Sequence, residues 1–192
     1  MPNHCVNYIH LNADGKSKKI MKSLIKTMGL KDKPAIFDFN RLIPYPANLK
    51  EMDDAYYAIK TDDDRIAYEK KYNTKSDGFN NGWYNWCIEN WDTKWNSYDV
   101  VLIEEKYSKY WCEASFRITT AWGCPEKVIH ALAKLYPEIS ISVEWFERGN
   151  GSCGGFTCND PDEENAYDDE TNTSVKIFNT WQCAEYRGCQ GG

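Results

Sequence analysis

Histidine is scarce in this 192-residue chain: His4, His10 and His130 are the only three, and none lies in a recognisable catalytic motif. Three other signatures are missing: the phosphate-cradling G-x-x-x-x-G-K-[ST], the zinc-binding H-E-x-x-H and the nucleophile elbow G-x-S-x-G. These absences leave little material for hydrolytic or nucleophilic chemistry. No stretch approaches the roughly 20 apolar residues of a membrane span. The opening "MPNHCVNYIH" has no basic segment leading into an apolar one, so no secretory leader is expected. An excess of positive charge is also missing. The formal net charge is −6, which argues against direct nucleic-acid binding through phosphates. The expected location is therefore the cytoplasm, where eight cysteines read first as reduced thiols or metal ligands rather than disulfides.

Aromatic residues, by contrast, are abundant, at 15% of the chain with 8 Trp and 13 Tyr. The segment "NGWYNWCIENWDTKWN" holds Trp83, Trp86, Trp91 and Trp95 within sixteen residues. Acidity is local: residues 160–170, "DPDEENAYDDE", carry seven acids and no base, which leaves the rest of the chain close to neutral. Such a pattern describes an acidic loop on a neutral body, not an evenly acidic nucleic-acid mimic.

Periodicity supplies an element order. "CVNYIHLNA" alternates as a strand and ends at the turn signal Asp14-Gly15. Ile20, Met21, Leu24, Ile25 and Met28 recur at helical spacing, with Gly29 placed as a C-cap. "AIFDFNRLIPYP" is expected to be a short strand stopped by Pro44 and Pro46. Two helices are expected within 51–72 and another around Trp83, Trp86 and Cys87, after the loop "KSDGFNNG". "YDVVLIEE" does not alternate, so it is expected to be a strand buried on both faces. "WCEASFRITTAW" alternates, with Cys112, Ala114, Phe116 and Ile118 on one side. "CPEKVIHALAKLYP" reads as an amphipathic helix with Pro125 in its first turn. "ISISVEWFE" alternates again, and "SVKIFNTW" is a candidate last strand. Split β-α-β units with antiparallel pairs make an α+β sandwich: a mostly antiparallel sheet with helices on one face.

Five segments in order, "MPNH", "FDFNRLIPYP", "WDTKWN", "FRITTAWGCP" and "FERGNGSCGGF", resemble the YubB-type ferredoxin-like domain family of phage and plasmid proteins of unassigned molecular function. The resemblance runs from Met1 to about Phe156. It departs at Asp92, where that family usually shows Gly, and at Gly123-Cys124-Pro125, in place of a Ser-Pro-Pro-like run. An Asp tolerates the left-handed conformation such a Gly supplies, at some cost. The resemblance implies a ferredoxin-like α/β sandwich over residues 1–156 with a helical insertion at about 45–92. Residues 157–192 are then an acidic loop and C-terminal extension packed on the same domain. It also implies a mobile-element origin and carries over no catalytic residues.

Three candidate sites follow from the residues. Trp91, Lys94, Trp95, Asn96 and Trp122 are either core plugs between helix and sheet or a pocket that stacks a base or a peptide side chain. Cys153-x4-Cys158 and Cys183-x5-Cys189 offer four thiolates for a zinc tetrahedron, at looser spacing than usual; apart from zinc, no cofactor is expected. Asp160, Asp162, Glu163, Glu164, Asp168, Asp169 and Glu170 suit an acidic bait for a basic groove on a partner. They lack the glycine and terminal glutamate of a calcium loop. Cys124, at a helix start, is the one thiol placed for a lowered pKa. Three functions are weighed. The first is a non-enzymatic protein that binds and inhibits a host protein, plausible for an anti-defence factor. The second is a small-ligand binder taking a nucleotide against tryptophan. The last is a Cys–His enzyme, for which only placement speaks.

Overall fold

The computed structural model describes residues 3–74, 83–149, 151–159 and 173–176. Strand β1 (His4–Asp14) turns Cys5, Asn7, Ile9 and Leu11 inward by its period-two alternation. It ends where the Asp14 carboxylate accepts the Lys16 N–H at 2.8 Å. Helix α1 (Lys18–Thr27) buries Met21, Leu24 and Ile25. It stops as its glycine predicts: Gly29 sits at φ +77°, its N–H reaches the Lys26 carbonyl at 3.1 Å and the Leu30 N–H reaches that of Ile25 at 3.1 Å. This is the paired closure of a Schellman motif.

The strand expected at 35–46 does not form. Phe37 and Phe39 are both buried, at the spacing that suggests a strand, but their backbone bonds go to side chains. The Phe39 N–H donates to Asn96 Oδ1 at 3.0 Å, and the Ser97 hydroxyl donates to the Phe37 carbonyl at 2.6 Å. Asp38 accepts the Asn40 N–H at 3.0 Å and starts a single tight turn at Phe39–Arg41. Side-chain capture of these groups replaces a sheet ladder.

The insertion is helical: α2 (Ala47–Tyr57), α3 (Asp62–Tyr72) and α4 (Trp83–Trp91). Helix α3 begins with a capping box between Thr61 and Asp64, which satisfies two N–H groups reciprocally. The expected loop at 75–82 lies outside the described residues. The chain then continues through β2 (Tyr98–Tyr107), β3 (Trp111–Ala121), α5 (Glu126–Leu135), β4 (Ser140–Glu147), β5 (Ser152–Cys158) and β6 (Thr173–Lys176).

The strands form one antiparallel sheet in the order β2-β3-β1-β4-β5-β6. Strands β1 and β2 run the same way with β3 between them, so each half is a split β-α-β unit. The core lies where α1 and α5 cover one sheet face. Ile9, Leu11, Phe116, Ile118, Ile141 and Val143 from the sheet meet Leu24, Ile25, Val128 and Leu132 from the helices. Strand β5 continues to Cys158 and pairs with β6. Strand β2 is an edge, not a doubly buried strand. Val101 and Ile103 are 43% and 51% exposed, and its ladder with β3 shifts register twice, a common way to blunt a free edge.

Candidate functional site

A line of aromatic contacts leads from the core to the surface. Phe116 meets Phe37 at 5.1 Å between ring centroids, Phe37 meets Phe39 at 5.9 Å, and Phe39 meets Trp91 at 5.6 Å. Trp91 meets Trp86 at 5.2 Å, and Trp86 meets Tyr45 at 5.0 Å. Most of these pairs are near-perpendicular, the arrangement the ring quadrupoles favour. The line ties the insertion to the sheet and ends in an aromatic cleft.

Segment 91–97 divides its residues between anchoring and display. Trp91 is 4% exposed and its indole N–H donates to the Ile43 carbonyl at 3.0 Å. Asp92 takes the left-handed conformation, at φ +58°. Its carboxylate accepts the Lys127 N–H at 2.9 Å and pairs with the Lys127 ammonium at 2.9 Å. It thereby serves the first turn of α5, where N–H groups lack intrahelical partners. Thr93 is buried; its hydroxyl donates to the Ala121 carbonyl at 2.8 Å and accepts the Ala121 N–H at 3.1 Å. Asn96 was a ligand candidate, but its amide is already engaged. Its oxygen accepts from the Phe39 and Ser97 N–H groups, and its nitrogen donates to Asp38 at 2.7 Å. Burial alone would raise the pKa of Asp38, yet the bonds from Asn96 and Asn40 and the nearby Arg41 charge outweigh it, so its carboxyl titrates below the usual range.

Between the insertion and this segment opens a cleft of about 570 Å³ lined by Tyr45, Lys50, Trp83, Trp95, Asn96 and, at its buried end, Trp91. Three tryptophans face it in different ways. The Trp91 N–H is taken by Ile43, and that of Trp83 donates to the Tyr57 hydroxyl at 2.9 Å. Among the described residues the half-buried Trp95 indole donates to nothing. Tyr45 donates its hydroxyl to Asp53 at 2.6 Å. Burial first, and the Asp53 carboxylate second, hold that hydroxyl protonated far above its ordinary pKa. Lys50, exposed at the rim, makes no ion pair with any described residue. Sequence reasoning missed Tyr45, Lys50 and Trp83; the aromatic between Pro44 and Pro46 was the available signal.

Beside the cleft, the Lys94 ammonium lies 5.1 Å from the Trp95 ring, 5.2 Å from Trp122 and 5.4 Å from Tyr84. Trp122 is no core plug: it is 40% exposed and held at φ +75°, with its N–H donating to the Asn3 carbonyl at 2.9 Å. For a bulky residue that backbone region costs about 1–3 kcal/mol.

Of the cysteine candidates, Cys153 and Cys158 do not converge. Cys153 lies opposite Phe146 and Cys158 opposite Ile141 across the β4–β5 ladder. An odd spacing along a strand puts them on opposite faces. Cys158 is buried and Cys153 is disulfide-bonded, so not all eight cysteines are reduced thiols. Cys183 and Cys189 lie outside the described residues, as do Asp160, Asp162, Glu163, Glu164, Asp168, Asp169 and Glu170. Among the described residues no group of three His, Cys, Asp or Glu side chains converges as a metal site. Cys124 is buried, and burial pushes its thiol well above the ordinary value, the reverse of an activated nucleophile. A polar trough of about 330 Å³ on the other sheet face brings His10 near Glu104, Glu113 and Glu144, with His10 Nδ1 bonded to the Ser115 hydroxyl at 3.0 Å.

The split β-α-β pairs and the β2-β3-β1-β4 order define a ferredoxin-like domain of the α+β class. Residues 90–184 match the family described as the ferredoxin-like domain in Api92-like protein. That match starts just before Trp91 and includes the acidic stretch. The crystal structure of protein Api92 from Yersinia pseudotuberculosis is similar, with 8% sequence identity, a TM-score of 0.48, and coverage of 93% of this chain and 98% of that one. No curated protein matches the chain. No described helix is long and apolar enough to cross a membrane.

Proposed function

We propose that the protein is a non-enzymatic binding protein whose aromatic cleft takes a small nucleotide. One observation carries this reading: the cleft combines Trp95 and Trp83 with Tyr45, and at its rim is Lys50, which has no ion pair among the described residues. Aromatic faces stack any base, at about 1–3 kcal/mol per base, and a rim lysine suits a phosphate as a point charge. The volume falls within the range of small-molecule sites. Support for a binding role over catalysis comes from the burial of Cys5, Cys87, Cys112 and Cys124 and from the missing catalytic motifs. The test is thermal shift and tryptophan quenching against nucleosides and their mono-, di- and triphosphates. Stabilisation by nucleotides is expected, lost in Trp95→Ala with the fold intact, and weakened in Lys50→Ala for phosphorylated ligands only. If no nucleotide moves either signal, the reading fails.

A second reading keeps the mobile-element origin that the YubB-type resemblance implies, with binding and inhibition of a host protein, in the cytoplasm, as an anti-defence activity. The β2–β3 hairpin favours it: Val101 and Ile103 on the β2 edge, and Tyr110 and Trp111 at its turn, are exposed between 43% and 74%. Apolar side chains on a free strand edge suit a protein partner. A tagged pull-down from nuclease-treated host lysate checks it. One dominant host protein, lost when Ile103 becomes Lys, supports it, and a clean bait removes it.

A further inference from the structure

The cluster around Lys94 has a chemistry of its own. Three rings from three parts of the chain surround one ammonium: Tyr84 on α4, Trp95 beyond it and Trp122 after β3, at 5.1 to 5.4 Å. All three fall inside the roughly 6 Å reach of a cation–π contact. Tyr84 and Trp122 meet edge to face at 6.0 Å and 84°, so two walls of the enclosure brace each other. Among the described residues Lys94 makes no ion pair, and its charge is met by ring faces. Independently, Trp122 occupies the left-handed backbone region at φ +75° while leaving 40% of its surface exposed. A strained backbone that leaves a large aromatic ring partly in water is not explained by core burial, and such outliers gather at binding sites.

We propose that Tyr84, Trp95 and Trp122 form an aromatic cage for a methylated ammonium group, with Lys94 as its resident plug. A primary ammonium is compact and strongly hydrated, so the rings hold it at a solvation cost. A quaternary ammonium spreads the same charge over methyl groups and gives up water easily, and it is the ligand such cages select. Lys94 leaves on its own stem when the ligand arrives. Its occupancy lowers the apparent affinity by the fraction of time the cage is filled. The nucleotide cleft shares only the Trp95 residue with this site.

The experiment follows the indole N–H resonances of the full chain during titration with choline chloride at constant ionic strength, with 3,3-dimethyl-1-butanol as the neutral isostere. Saturable shifts with choline and none with the alcohol are expected for the unaltered protein. Lys94→Gln should tighten choline binding about tenfold or more by emptying the cage. Trp122→Gly, which suits the positive φ, should abolish it while nucleotide titrations stay unchanged. A trimethyllysine peptide beside free choline distinguishes a protein-borne from a small-molecule source. Equal shifts with the alcohol, or binding only after Lys94 is replaced, would overturn the proposal and leave the cage as the lysine's own seat.

Discussion

Replacing Thr93 by Val keeps the shape of a buried side chain and removes one hydroxyl. Thr93 is 1% exposed, and its Oγ serves both polar groups of Ala121, itself fully buried. Valine leaves a carbonyl and an N–H without partners, each stranded at about 1–3 kcal/mol, so the loss should be about 2–5 kcal/mol. Serine keeps the hydroxyl and gives up one buried methyl, worth about 1 kcal/mol with its small cavity. The expected order of stability is therefore Thr, then Ser, then Val, although valine is the most apolar and best strand former of the three. Urea unfolding followed by circular dichroism, with m-values compared to establish a common unfolded state, reads the order directly. If Thr93→Val falls within 0.5 kcal/mol of the parent (roughly the scale of a neutral surface change), or proves more stable than Thr93→Ser, the bracket to Ala121 does not hold the segment as described.

Three further outcomes are expected. Trp91→Ala should cost about 3–5 kcal/mol as a buried indole and its bond to Ile43 are lost, whereas Trp95→Ala should leave the melting temperature within a few degrees; comparable losses in calorimetry would place both in the core. The pKa of Asp38 is lowered by folding, so its contribution to stability is present above the unfolded carboxylate range, near pH 4, and fades as pH falls through the lower folded value. Asp38→Asn should therefore flatten the acid limb of the stability–pH curve, and an unchanged limb would contradict the assignment. Burial raises the Cys5 and Cys87 thiols to about 12. Brief alkylation of the native protein, with peptide mapping, should thus leave Cys5, Cys87 and Cys124 unmodified until denaturant is added.

Much of the sheet and its helices was legible because the signal is local. Alternation in β1, β3 and β4 and the helical spacing in α1 and α5 come from one face of each element meeting one core. Gly29 announced its left-handed cap, and the Asp at 92, where the resembled family has Gly, announced another. The misreadings have a common cause. At Phe37 and Phe39 a strand-like spacing was satisfied by Asn96 and Ser97, almost sixty positions away in the chain. The apolar run in β2 suggested burial on both faces, but sheet order alone decides which strand becomes the edge.

The tryptophan segment shows the same division. Its composition by itself marked a concentration of large aromatic surface and left open whether that surface is core or pocket. Which indole became an anchor and which a wall depended on partners brought in by the fold: Ile43 for Trp91, the insertion for Trp95, Tyr84 and Lys94 for Trp122. Cys153 and Cys158 likewise look paired along the chain and are parted by the pleat of β5. Local periodicity and turn chemistry act within a few residues, so the amino-acid order states them outright. Hydrogen-bond partners, strand edges and cavities are set by long-range packing, and they exist only once the chain has closed on itself.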